Sequence, residues 1–366
     1  MVLRAAFCGL YAAGGAAHGA AARPQLRAPA PAIAPGAVAS DDQPAAGVAS
    51  LILAGCMPAA PARPRLARHR ELRQAWELLA NLTKKEVKVR YKGSFLGIAW
   101  SLITPLLMTA IFTLVFSTFI RVPVAHFAAF FLAGFLIWQF HANSVQSSVG
   151  AIVSNGSLIK KVYFPREVLP LSLVLSQAFH LVIALAVVAP LFFYWRGNIA
   201  AELPALVPGI ALLMAFTTGV SMLFAALNVS FRDLQELTQI IFMAWFYGTP
   251  IIYPFYLVQG AREEAVQQGP GLLASALPII ETLIQANPMY WFVRVFQRSM
   301  AGTPAPRPQD VPDPSAAPDA WPAAGALPPQ WPDPQVWGIC TAWAVGMLVL
   351  GWWLFRRRAV TFAKEV

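Results

Sequence analysis

Leu96–Ile120 reads LGIAWSLITPLLMTAIFTLVFSTFI, a stretch without a single Asp, Glu, Lys or Arg. A hydrocarbon core about 30 Å thick needs about 20 apolar residues of helix, and this stretch exceeds that length. Five further charge-free runs follow: Val122–Ile159, Val168–Trp195, Leu203–Phe231, Leu237–Ala261 and Pro334–Phe355. A water-facing surface needs charge, so no soluble domain keeps six such runs in one chain. The predicted fold is all-α, a polytopic membrane protein with six transmembrane helices.

Composition agrees, with 57% apolar and only 12% charged residues. The formal charge of +10 would suit a nucleic-acid partner, but its placement excludes that reading. Of the 27 Lys and Arg, 18 fall in Arg63–Lys92, Ile159–Glu167, Arg232 and the residues after Phe355. Those segments alternate with the others as loops on one membrane side. By the positive-inside rule that side is cytoplasmic, and both termini lie on it. The chain is then a multi-pass membrane protein. Cys8, Cys56 and Cys340 have neither metal-site spacing nor a disulfide framework.

Residues 1–62, rich in Ala, Gly and Pro, read as a disordered extension. Met1–Ala22 faintly resembles a secretory signal, and Leu53-Ala54-Gly55-Cys56 a lipoprotein cleavage box. Either would put the basic Arg63–Lys92 stretch outside, against the charge bias. An interface helix is expected over 63–95. Leu72, Trp76, Leu79 and Leu82 form its apolar stripe, and Lys84, Lys85, Lys88, Arg90 and Lys92 meet anionic headgroups. A soluble helix packed on a partner is the alternative. Thr83 and Glu86 have capping-box spacing, which would restart the helix there.

The six-span domain occupies 96–358. Pro105 should kink the first span or end an initial turn. The second run is nearly twice the needed length, and its latter part carries Gln139, His141, Asn143, Ser144, Gln146, Ser147 and Ser148. Those groups either face the bundle interior, or belong to a helix that continues into the cytoplasm. Beyond the fifth run, Gly271–Ile280 and Met289–Val293 are too short to cross. They read as re-entrant or interfacial external helices bounded by Pro270, Pro278 and Asn287-Pro288. Residues 303–334 read as a flexible external loop and 359–366 as a cytoplasmic tail.

Several chemistries are missing from the sequence. No Gly-x-x-x-x-Gly-Lys-Ser/Thr cradles a nucleotide, and no His-Glu-x-x-His or Cys-pair site holds a metal. No acid pair lies inside a span, which argues against a proton-driven carrier. His141 and His180 read as hydrogen-bonded structural residues. Energy must therefore come from another polypeptide.

Two internal loops look built to receive it. In Asn155–Glu167, Gly156 permits a break, Ser157 caps a short helix and Pro165 stops it. This presents Leu158, Ile159, Tyr163 and Phe164 beside Lys160, Lys161, Arg166 and Glu167. A headgroup-anchoring loop is the alternative. In Phe231–Glu236, Arg232 pairs with Asp233 or Glu236.

Arg90-Tyr91-Lys92-Gly93-Ser94-Phe95-Leu96-Gly97-Ile98-Ala99-Trp100-Ser101 and Leu158–Glu167 resemble the permease subunits of type-2 ABC exporters, nearest to those that export O-antigen and teichoic acid polysaccharides. Asn228–Asp233, Pro250-Ile251-Ile252-Tyr253-Pro254 and Asn287-Pro288 with Arg294 add to the match, which runs from about Glu71 to Val366. The 1–70 extension and the long Thr303–Pro334 loop depart from it. The resemblance implies a homodimer, each copy carrying a cytoplasmic ABC ATPase subunit, two in all. ATP and Mg would be bound by that partner, with no cofactor, catalytic residue or metal in this chain. The cargo implied is a lipid-linked polysaccharide, and the surroundings are membrane lipids. ATPase closure would push on Leu158–Glu167 and move span two against the partner copy's span five.

A sugar path needs apolar faces and hydrogen-bond donors. Phe112, Phe116 and Phe119 share one helical stripe, and Phe127, Phe131 and Phe135 another. Trp245, Tyr247, Tyr253 and Tyr256 are further candidates for its lining, although lipid-facing aromatics are common. The competing readings are a type-2 ABC exporter of a drug or small lipid, and a membrane enzyme acting on lipid-linked sugars. The latter lacks support, because Glu202, Glu263, Glu264 and Glu281 on the external side have no pairing.

Overall fold

The computed structural model describes residues 65–359 and 362, apart from 123, 125, 162–163, 197–198, 270, 305–325 and 328–330. The expected extension at 1–62, the body of the 303–334 loop and Tyr163 lie outside the described residues. The first helix, α1 (Arg65–Tyr91), is continuous. The restart expected at Thr83 does not occur. The Thr83 hydroxyl donates instead to the Leu79 carbonyl one turn back (2.8 Å), which keeps it inside the helix.

Among the described residues, five helices are long and apolar enough to cross a membrane: Trp100–Phe119, Phe127–Val149, Val168–Trp195, Leu203–Ser230 and Pro334–Ala359. The first of these is α2 (Trp100–Thr113) with a π-helical end, Leu114–Phe119. Pro105 neither ends it nor starts it, since the helix runs through that residue. The second, α3 (Phe127–Val149), is the central helix, with Phe131, Leu132, Ala133 and Ile137 fully buried. Its end at Gly150 shortens the 38-residue run to a normal span, and His141, Ser144 and Ser148 are buried inside it. A short helix, α4 (Gly156–Lys161), follows, then the long spans α5 (Val168–Arg196) and α6 (Leu206–Ser230). Ser157 sits within the first turn of α4, not ahead of it as a cap.

The fifth charge-free run is not one helix. It breaks into α7 (Leu234–Tyr247) and α8 (Phe255–Gln267), with Gly248–Pro254 between them. Pro250 and Pro254 lack an amide hydrogen, and each disfavours helix in the residue before it. The 14 residues of α7 rise only ~21 Å. Two more helices follow, α9 (Leu272–Ala286) and α10 (Pro288–Phe296), the latter with a π-helical end, Gln297–Ala301. Pro278 lies within α9 and does not bound it. Strands β1 (Thr303–Pro304) and β2 (Ala326–Leu327) pair antiparallel, Thr303 opposite Leu327, before the last span, α11 (Pro334–Ala359).

Side chains fix the two ends of the bundle. At one end, Arg356 of α11 donates to Glu167 (3.1 Å) and Arg358 to the Ser230 hydroxyl (3.2 Å). This end also holds Lys160 and Lys161. At the other, Trp331 donates to the Ala201 carbonyl (3.0 Å) and Arg298 pairs with Asp333. Between these ends α6 and α11 touch backbone to backbone, since a β-carbon on Gly219 would fall 2.3 Å from the Met347 carbonyl oxygen.

Candidate functional site

At the basic end, the short α4 is anchored by a small apolar core. Ile159 is buried with Ile152, Leu169, Val229, Phe355 and Phe362, and Leu82 of α1 and Phe164 pack against them. Ile159 therefore points inward, contrary to the expectation that it faces a partner; one turn of helix must bury some side to be held at all. Lys160, Lys161 and Pro165 are exposed, while Leu158, Phe164, Arg166 and Glu167 are half-buried. Among the described residues Arg232 makes no ion pair with Asp233 or Glu236. A force applied to α4 would pass through this core to α5, α6 and α11 together.

The C-terminal end of α1 closes a polar cavity of about 340 Å³ between α1, α2, α3 and α5. Arg90 donates to Gln177 of α5 (2.9 Å), and the Tyr91 hydroxyl meets His180 Nδ1 at 2.8 Å. Ser101, Thr104, Gln139 and Asn143 complete its polar lining. Residues on four helices make one compartment with a single guanidinium and many neutral donors and acceptors. Gly93 (φ 81°) and Gly97 (φ 50°) flank the bend from α1 into α2, where left-handed backbone favours a residue without a β-carbon. Trp76, Lys84, Lys85 and Lys88 of α1, and Lys92 just after it, are exposed, and Leu79 is buried.

The two phenylalanine stripes meet each other. Phe112 stacks on Phe116 (5.7 Å between centroids) and Phe131 (4.7 Å); Phe127 stacks on Phe116 and Phe131, and Phe135 on Phe131. Phe127 and Phe131 are buried by this ladder, which joins α2 to α3. Phe112, Phe116 and Phe135 keep an open side, and Phe119 is 73% exposed.

A second cluster gathers deep in the bundle. His141 lies between Phe216 (5.3 Å) and Phe242 (5.5 Å), and its Nδ1 meets the Thr217 hydroxyl at 3.0 Å. Trp245 stands edge-on to His141 and donates to Asn287 Oδ1 (2.8 Å). That oxygen also accepts from Met289 N, capping α10, while the amide nitrogen donates to Thr249 (2.8 Å). Asn287-Pro288 thus seats the start of α10 beside α7, and α10 is largely buried against α3, whereas α9 is mostly exposed. Nearby, Arg262 pairs with the buried Glu281 (2.8 Å), and Arg294 approaches Tyr290 and Trp291. Tyr247 is exposed, and the Tyr253 hydroxyl donates to its carbonyl (3.2 Å). Tyr256 is half-buried.

Among the described residues, five helices long and apolar enough to cross a bilayer, with a polar cavity between them, define a polytopic helical membrane protein. The pattern of the ABC-2 type transporter family matches residues 77–260. The chain is 36% identical over 179 residues to an O-antigen export system permease protein RfbA of Klebsiella pneumoniae, covering 49% of this chain and 69% of that one. It is 35% identical over 191 residues to the RfbA permease of Myxococcus xanthus, covering 52% and 73%. The chain belongs to the ABC-2 type transporter family. Its role is that of a membrane permease, not a catalyst, and the family implies an ABC ATPase partner with which ATP and Mg use lies.

Proposed function

We propose that this chain is the channel-forming half of an ATP-driven exporter that moves a lipid-linked polysaccharide of the O-antigen kind across the bacterial inner membrane. The supporting comparison is with relatives named as O-antigen export permeases. Two copies form the path, each with one ATPase subunit on its basic, cytoplasmic end. On this reading α7 and the Gly248–Pro254 turn make the fifth crossing, which leaves both termini on the basic side.

One observation carries the mechanism: the core around Ile159 and Phe355 ties α4 to three spans at the end where Lys160 and Lys161 are exposed. ATP-driven closure of the ATPases presses on Leu158–Glu167, and this core transmits the displacement as one block. The cavity beside it offers the Arg90 guanidinium to the phosphate of a lipid-linked glycan and neutral donors to its first sugar. Glycan then passes along the open sides of Phe112, Phe116 and Phe135 and the ring edges near Trp245, Tyr247, Tyr253 and Tyr256. Aromatic faces stack on sugars without fixing a sequence, which permits sliding.

The test is the double variant Tyr163→Ala, Arg166→Ala in the assembled exporter. ATP hydrolysis should continue while export of lipid-linked glycan falls by about tenfold or more. Unchanged export would remove this loop from the mechanism.

A further inference from the structure

The last span has two dissimilar sides. Ala344, Gly351 and Phe355 are buried, while Val345, Val349 and Trp353 are exposed. Those three exposed residues are four apart, and Arg357 is four further on, so all share one row of the helix surface. At about 1.5 Å per residue the row is ~18 Å long, close to the depth of one leaflet.

The row is apolar, then aromatic, then cationic. The Arg357 Cζ lies 4.1 Å from the centroid of the Trp353 ring, well inside cation–π range. Its neighbour Arg356 stands 5.0 Å over Trp352, yet it also donates to Glu167, so its charge is partly answered within the protein. For Arg357, which is exposed, the contact seen among the described residues is the ring alone. A guanidinium stacked on a ring uses its face and leaves its N–H edge for a bidentate oxygen acceptor.

We propose that Val345, Val349, Trp353 and Arg357 form a binding site for an acidic glycerophospholipid. One acyl chain lies along the two valines, the glycerol ester region sits at the indole, and the phosphate is held by the guanidinium. The order of chemistry along the row matches the order within such a lipid from tail to head, and a protein partner would not require it. This site is independent of the cargo.

Native mass spectrometry of the purified full-length chain tests it, with phosphatidylglycerol or phosphatidylcholine of identical acyl chains added. Wild type should bind phosphatidylglycerol about fivefold more tightly than phosphatidylcholine. Arg357→Gln and Trp353→Leu should each bring the two lipids toward parity, and Arg357→Lys should keep only part of the preference. A wild type without preference, or an Arg357→Gln chain that keeps it in full, would overturn the proposal. So would equal binding of free glycerol phosphate. If Trp353→Leu fails to fold, Arg357→Gln, an exposed change, decides alone.

Discussion

Gly219 and Gly351 face each other across α6 and α11 so closely that a β-carbon on Gly351 would lie 2.0 Å from the Gly219 carbonyl oxygen. Helices in lipid gain no hydrophobic drive from association, so close backbone approach at small residues holds such a pair. Here that contact fixes the last span, and with it Phe355 and the basic end.

Gly351→Ala and Gly219→Ala should each force the helices apart and cost about 1–3 kcal/mol, the usual range for overpacking. Thermal unfolding in detergent should show a lowered midpoint for both. Gly346→Ala, on the same helix but with nothing within 4 Å of its β-carbon, should leave the midpoint unchanged.

Asn287 ties α7 to the start of α10, accepting from Trp245 and Met289 and donating to Thr249. Asn287→Ala removes an N-cap worth about 1 kcal/mol and the hydrogen bond of a half-buried indole, worth about 1 kcal/mol more. Limited proteolysis within α8 and α9 should accelerate in this variant. Asn287→Asp, which keeps the accepting oxygen, should be affected less.

Tyr91 and Arg90 latch α1 onto α5 across the cavity. Tyr91→Phe keeps the ring and loses one hydrogen bond, worth about 1 kcal/mol. Arg90→Gln should lower export more than Tyr91→Phe does, because it also removes the cavity's cation; equal losses would argue that the latch alone matters.

The apolar runs were readable because lipid demands length and lack of charge, and both are local properties. The break after Tyr247 was not, because absence of charge says nothing about helicity; Gly248, Pro250 and Pro254 were the available signal. Pro278, by contrast, is a proline that the helix tolerates, so proline alone does not mark a boundary. The cavity escaped sequence reading because Arg90, Gln139 and Gln177 are far apart in the chain and meet only after packing. The inward side of Ile159 is not legible in the sequence, because one and a half turns are too few to define an apolar face. For the phenylalanine stripes, periodicity identified the faces but not what they meet, which is each other.

The proposed function makes this chain a passive conduit driven by a nucleotide-hydrolysing companion. The direct measurement is transport of lipid-linked glycan in sealed vesicles containing the chain with or without its ATPase. Transport should require both the ATPase and ATP hydrolysis, and vanish with the chain alone. Movement of the glycan by the chain without its companion would contradict the account.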